Sequence, residues 1–170
     1  MRPDLFLTTI IDPGLVELSR NGGPPVNDAA RRFLLAIAMQ ESGLTARYQY
    51  SPSADAGPAN GWWQFEAGGG VHGVMTHPAS SALARKGCEV CTVVWEEGAV
   101  WRAIEAHDLL SPWFARLLVW TDPAALPTTQ DDGWDQYIRL WRPGKPRPDE
   151  WPDNWAAADA AVRHTAVDIV

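Results

Sequence analysis

Apolar and polar positions alternate along this chain in blocks of helical length, separated by proline, glycine and asparagine. Asp12-Pro13 reads as the opening of a short helix, closed by Gly22-Gly23. Asn27 caps a stronger helix from Asp28 to about Ser42, with Gly43 as its stop. From Tyr48 to Gly70 the periodicity gives way to Ser, Pro, Gly and Asn mixed with aromatics, which predicts a long irregular or β-containing loop. Helical signals return from Pro78 to Arg85, ended by Gly87, then from about Cys91 to His107, and from Ser111-Pro112 to about Trp120. Asp132 precedes Trp134, Tyr137, Ile138 and Trp141, which recur at i, i+3, i+4 and i+7. A stiff linker, Pro143 to Pro148, then leads into a terminal alanine-rich helix expected to begin at Asn154. The pattern predicts one mainly α domain over residues 1–170, without repeats, with one elaborate loop lining a cleft after the second helix.

Composition narrows the classes. The 170 residues are 46% hydrophobic, enough for one sizeable core, and no low-complexity tract argues for disorder. A net charge of −7 argues against nucleic acid or an anionic membrane surface as partner. No apolar run reaches membrane-spanning length, and Asp12-Pro13-Gly14 interrupts the first apolar stretch too early for a signal-peptide core. Ten tryptophans are more than a core of this size needs, and such rings suit amphipathic surfaces, including sugar faces, as well as core packing.

The candidate chemistry begins with a carboxylate. Ala30, Phe33, Ile37 and Glu41 share one face of the helix from Asp28, so Glu41 falls on the last turn of an apolar stripe. Apolar neighbours, partial burial and the negative helix end would all raise its pKa, as a general acid requires; an ordinary exposed last-turn glutamate is the other reading.

Glu41-Ser42, then Asp55, then Gly61-Trp62-Trp63-Gln64-Phe65-Glu66 together resemble the lysozyme-like superfamily, specifically goose-type lysozymes and soluble lytic transglycosylases. Those families end a buried helix in Glu-Ser and follow a glycine-rich loop with Gly-Leu-Met-Gln. Gly61 and Gln64 match that motif, while Trp62 and Trp63 replace its central pair. Asp55 and Glu66 occupy the places of the goose-type acidic residues, and at Trp120 only an aromatic survives from the family's third motif.

The resemblance implies cleavage of the β-1,4 glycan of peptidoglycan without a cofactor or metal. Glu41 would be the acid, and Asp55 or Glu66 would hold a water in a hydrolase. If neither does, the sugar's own hydroxyl would attack, as in a transglycosylase. Ser42, Gln64, Trp62, Trp63, Tyr48 and Trp120 would line the substrate site, Ser42 orienting Glu41, Gln64 bonding loop backbone, and Tyr50 adding to the wall. The plainer reading of Asp55, flanked by Ala54, Ala56 and Gly57, is a turn residue, and that of Glu66 is a cap. Peptidoglycan strands are the implied partner, with other virion proteins if the chain is phage-encoded. It would then reside in the host cytoplasm or the virion and act in the periplasm or cell wall. The alternative is a virion structural or glycan-binding protein that keeps the fold without the activity.

Other constellations are weaker. Cys88 and Cys91 lack the further ligands of a zinc site and the βαβ setting of a redox site, and read as buried free thiols. His72 and His77 lack zinc-protease spacing, and Gly68-Gly69-Gly70 lacks the lysine of a phosphate loop, although His72 beside it is a possible substrate contact. No Gly-x-Ser-x-Gly elbow is present. Trp134, Tyr137 and Trp141 read as a packing stripe rather than a sugar platform.

Overall fold

A computed structural model of the chain describes residues 1–48 and 58–165. The fold is mainly helical with one small two-stranded sheet. In chain order it comprises α1 (Pro3–Phe6), α2 (Asp12–Arg20), α3 (Asp28–Ser42), β1 (Ala59–Asn60), β2 (Phe65–Glu66), α4 (His72–Thr76), α5 (Ser81–Val90), α6 (Glu97–Ala106), α7 (Leu110–Trp120), α8 (Gln130–Trp141) and α9 (Trp151–His164). None of these helices is long and apolar enough to cross a membrane.

Two helices form the centre. In α3, Phe33 through Ala38 are all buried, and in α7 every residue from Leu110 to Val119 is buried. A helix apolar on all sides belongs in the interior, with partners all round. The cap and stop of α3 form as the sequence implies: the Asn27 side chain accepts from the Ala30 amide, and Gly43 adopts φ +57°. α9 lies along α3. Arg31, buried, donates to both oxygens of Asp12 (2.8 and 3.0 Å) and to the Thr165 carbonyl, which ties the start of α2 and the end of α9 to α3.

Several element boundaries differ from the sequence reading, among them the start of α5 at Ser81 rather than Pro78 and that of α7 at Leu110, ahead of Ser111-Pro112. α2 does begin at Asp12 with Pro13 in its first turn, but Asp12 is not a free cap, because α1 already runs from Pro3 and a wide π-turn, Leu7–Ile11, leads into α2 without a break. Gly87 does not stop α5. A Cβ there would lie 2.8 Å from the Trp113 ring, so this glycine is a close helix contact. The stretch from Cys91 to His107 is not one helix. Cys91 closes α5, Thr92 turns through φ +56°, and α6 begins only after the Glu96 carboxylate accepts from the Gly98 and Ala99 amides. α9 starts at Trp151 rather than Asn154, with Pro152 in its first turn.

The long loop contains the sheet. Ala59 pairs with Glu66 and Asn60 with Phe65, so Gly61-Trp62-Trp63-Gln64 are the four residues connecting a tight antiparallel hairpin. Gly61 at φ +75° and Gln64 at φ +48° make the reversal, and a Cβ at Gly61 would stand 2.8 Å from Ile104.

Candidate active site at the end of α3

The last turn of α3 carries Glu41, half-buried, where the core meets the hairpin and α8. Tyr137 of α8 donates its hydroxyl to Glu41 Oε1 at 2.6 Å. The phenol is fixed by aromatic packing. Its ring stacks on Trp151 at 5.3 Å and 10°, and lies 5.4 Å from Trp134 and 6.4 Å from Trp141.

Burial pushes the Glu41 carboxyl above its ordinary range. The Tyr137 hydrogen bond and the Arg147 charge oppose that shift without overcoming it. Tyr137 is raised in turn, by its own burial first and then by the neighbouring carboxylate, so it acts as a fixed donor. Arg147 is held in place by the adjacent residue. The Gln40 side chain donates to the Arg147 carbonyl at 2.9 Å, while the Arg147 guanidinium reaches the Gln40 carbonyl. Asn154 donates to Gln40 Oε1 at 2.9 Å, so the proline-rich linker and α9 both fasten beside Glu41. The result is one carboxyl, partly open to solvent, with a fixed donor on one oxygen and a cation nearby.

The remaining expected site residues divide. Gln64 bonds loop backbone as expected, its Nε2 donating to the Gly61 carbonyl at 2.8 Å across the hairpin turn. Trp62 and Trp63 do not line a cleft. They are 5% and 0% exposed, and both pack against Phe6. Trp63 donates its indole N–H to the Leu34 carbonyl, and Trp62 donates to Asp108 beneath the Arg47 guanidinium. The tight turn places both rings inward, where an extended segment would have sent them to opposite sides. Ser42 does not orient Glu41 either: its hydroxyl donates to the Ala38 carbonyl and accepts from the Leu44 amide, closing its own helix end.

Glu66 is exposed on β2, Tyr48 is exposed beside Asn60, and Trp120 is 44% exposed at the end of α7 beneath the Arg116 guanidinium. Asp55 and Tyr50 lie outside the described residues. His72 pairs with Glu97 at 2.8 Å. Cys88 and Cys91 are free thiols, both pushed up to about 11 by burial, which keeps them protonated and poorly nucleophilic at neutral pH.

Two residues that matter here were not among the expected set. Tyr137 belongs to the helical stripe read as packing, and it does pack, yet its hydroxyl leaves the core and ends on Glu41. A tyrosine rather than phenylalanine at a buried stripe position is the only signal the sequence carries. Arg147 sits in the linker, where spacing from Glu41 has no meaning. No protein-family model, curated protein or solved structure matches the chain.

Proposed function

We propose that this protein cleaves the β-1,4-glycosidic bonds of bacterial peptidoglycan, with Glu41 as the catalytic acid. The observation that carries the reading is the half-buried Glu41 carboxyl, raised by burial and held by Tyr137 at the end of a buried helix. With the phenol donating to Oε1, Oε2 is the oxygen that carries the transferable proton. Glu41 donates that proton to the glycosidic oxygen as the bond to the sugar carbon breaks and positive charge develops on the ring. The carboxylate left behind is stabilised by Tyr137 and the nearby Arg147 charge.

Two completions follow. A water held by Asp55 or Glu66 gives hydrolysis with inversion. Otherwise the Glu41 carboxylate takes the proton from the sugar's own hydroxyl as it attacks, leaving an anhydro ring and consuming no water. A phage-encoded role at host entry or lysis, alone or among virion proteins, fits this activity.

A second reading, a glycan-binding or virion structural protein without activity, is favoured by one observation. Trp62 and Trp63 are buried and Ser42 closes its own helix, so these three residues of the resemblance do not serve a sugar site beside Glu41. Clearing of a purified peptidoglycan suspension separates the two. Wild type clears it and Glu41→Gln does not if the enzyme reading holds; wild type that binds the suspension without clearing it supports the second.

A further inference from the structure

The Glu41 site is bordered by a stretch of chain with few means of holding itself in place. Pro143, Pro146 and Pro148 have no backbone N–H to donate. Among the described residues no backbone hydrogen bond fastens Pro143 through Pro146 to the rest of the protein. The first anchor after α8 is Arg147, and it is made by a side chain of α3. Gln40 Nε2 donates to the Arg147 carbonyl at 2.9 Å, and the Arg147 guanidinium donates back to the Gln40 carbonyl. That second acceptor belongs to the peptide bond whose nitrogen is that of Glu41, so the clamp holds a cation one peptide unit from the candidate acid.

The clamp has one orientation. Gln40 is 1% exposed, so its amide has no water to turn to. Asn154 of α9 donates to Gln40 Oε1 at 2.9 Å, which leaves Nε2 to face the Arg147 carbonyl. A buried amide answered at both ends fixes a geometry rather than merely filling space. The Arg147 side chain is half-exposed, and its ion pair, Nε to Glu150 Oε2 at 3.5 Å, lies within one turn of chain and makes no bond to α3. Gln40 is therefore what ties this guanidinium to the end of α3.

The position of that charge has a consequence for Glu41. Tyr137 from α8 and Arg147 from the linker both act on its carboxyl. The other charges on the surrounding elements are the Met1 amino group, bonded to the Leu44 carbonyl, Glu66 on β2 and Glu150, and none adds to these two. A positive charge favours the carboxylate, and its effect falls with distance. A linker free to swing would leave the acid protonated to higher pH.

We propose that Gln40 is a positioning residue: together with Asn154 it clamps the proline-rich linker so that the Arg147 guanidinium stays beside Glu41 and governs when that carboxyl releases its proton. Its value to catalysis rests on the reading of Glu41 as the acid of the site; the clamp itself does not.

Carbon NMR titration of protein labelled at the glutamate carboxyls tests this, the Glu41 signal being the one lost in Glu41→Gln. Gln40→Met is similar in size and removes both side-chain bonds of the clamp. It is expected to raise the pH at which Glu41 titrates by about half a pH unit, the scale of one nearby half-solvated charge, and Arg147→Met by a similar amount. The double variant is expected to go no further than Arg147→Met alone, because Gln40 acts through that charge. Asn154→Ala keeps Gln40 but frees its amide, so it is expected to move the titration the same way, and it stands in should Gln40→Met fail to fold. An unmoved titration in Gln40→Met, or in its stand-in, with only a lower Tm would make the clamp purely structural and overturn the proposal. A double variant in which the two shifts add would overturn it as well. The titration needs no turnover, so its outcome is separate from any failure of glycan cleavage.

Discussion

Tyr137 and Glu41 stand 96 positions apart in sequence and 2.6 Å apart in space, joined by a phenol-to-carboxylate hydrogen bond. The bond favours the charged form of a carboxyl whose pKa burial raises. The two influences are separable by mutation.

Tyr137→Phe keeps the ring and its stack on Trp151 but removes the donor. A hydrogen bond to a charged group is worth about 1.5–3 kcal/mol, or about one to two pH units. The alkaline limb of the activity profile, where Glu41 loses its proton, is therefore expected to move up by that amount. A pH series of glycan release by wild type and variant measures it; an unmoved limb would mean that Tyr137 does not govern this acid.

Glu41 also imposes a pH dependence on stability. Its carboxyl holds a proton to higher pH in the fold than in the unfolded chain, so the native state binds more protons across that window and stability falls as pH rises through it. Below the ordinary carboxyl range both states are protonated and the penalty is absent. Glu41→Gln is expected to have a Tm equal to or above wild type near about pH 7, with the difference vanishing near about pH 3. Thermal melts at the two pH values check this, and a variant that is less stable at neutral pH would make Glu41 a structural residue.

Trp63 fills the core beneath the hairpin, with no exposed surface and a hydrogen bond to α3. Trp63→Ala is expected to cost about 3–5 kcal/mol of stability, the usual range for a large buried aromatic. Denaturant titration gives the value. A loss of glycan binding with stability intact would return this ring to the substrate site.

Arg116 is a liability on α7. It is 4% exposed, its Nε lacks a hydrogen-bond partner among the described residues, and burial pushes its pKa down to about 10. Its recorded partner is the face of Trp120, at 5.5 Å. Replacing a poorly compensated buried cation with an apolar side chain of similar length removes a desolvation cost, so Arg116→Met is expected to gain about 1–3 kcal/mol. Denaturant midpoints at constant slope measure the gain; a loss would show that the guanidinium holds α7 in place.

What the sequence revealed follows the range of the forces involved. The cap at Asn27, the stop at Gly43 and the apolar stripe ending at Glu41 are local, and α3 forms as its pattern implies. Gly87 was misleading because its role is to admit Trp113, a contact from another helix. Asp12 carries the residue type of a cap, but its carboxylate is used by Arg31. The direction of Trp62 and Trp63 depends on a four-residue reversal whose geometry residue type alone does not give. Tyr137 and Arg147 reach Glu41 only through the packing of α8 and the linker, so no sequence spacing announces them.

Mass analysis of sugars released from purified peptidoglycan by wild type and by Glu41→Gln tests the central claim most directly. The account predicts muropeptides from wild type alone, with hydrated reducing ends if Asp55 or Glu66 holds a water and anhydro ends if Glu41 acts without them. Identical fragments from Glu41→Gln, or no fragments from a folded wild type that binds the glycan, would contradict it.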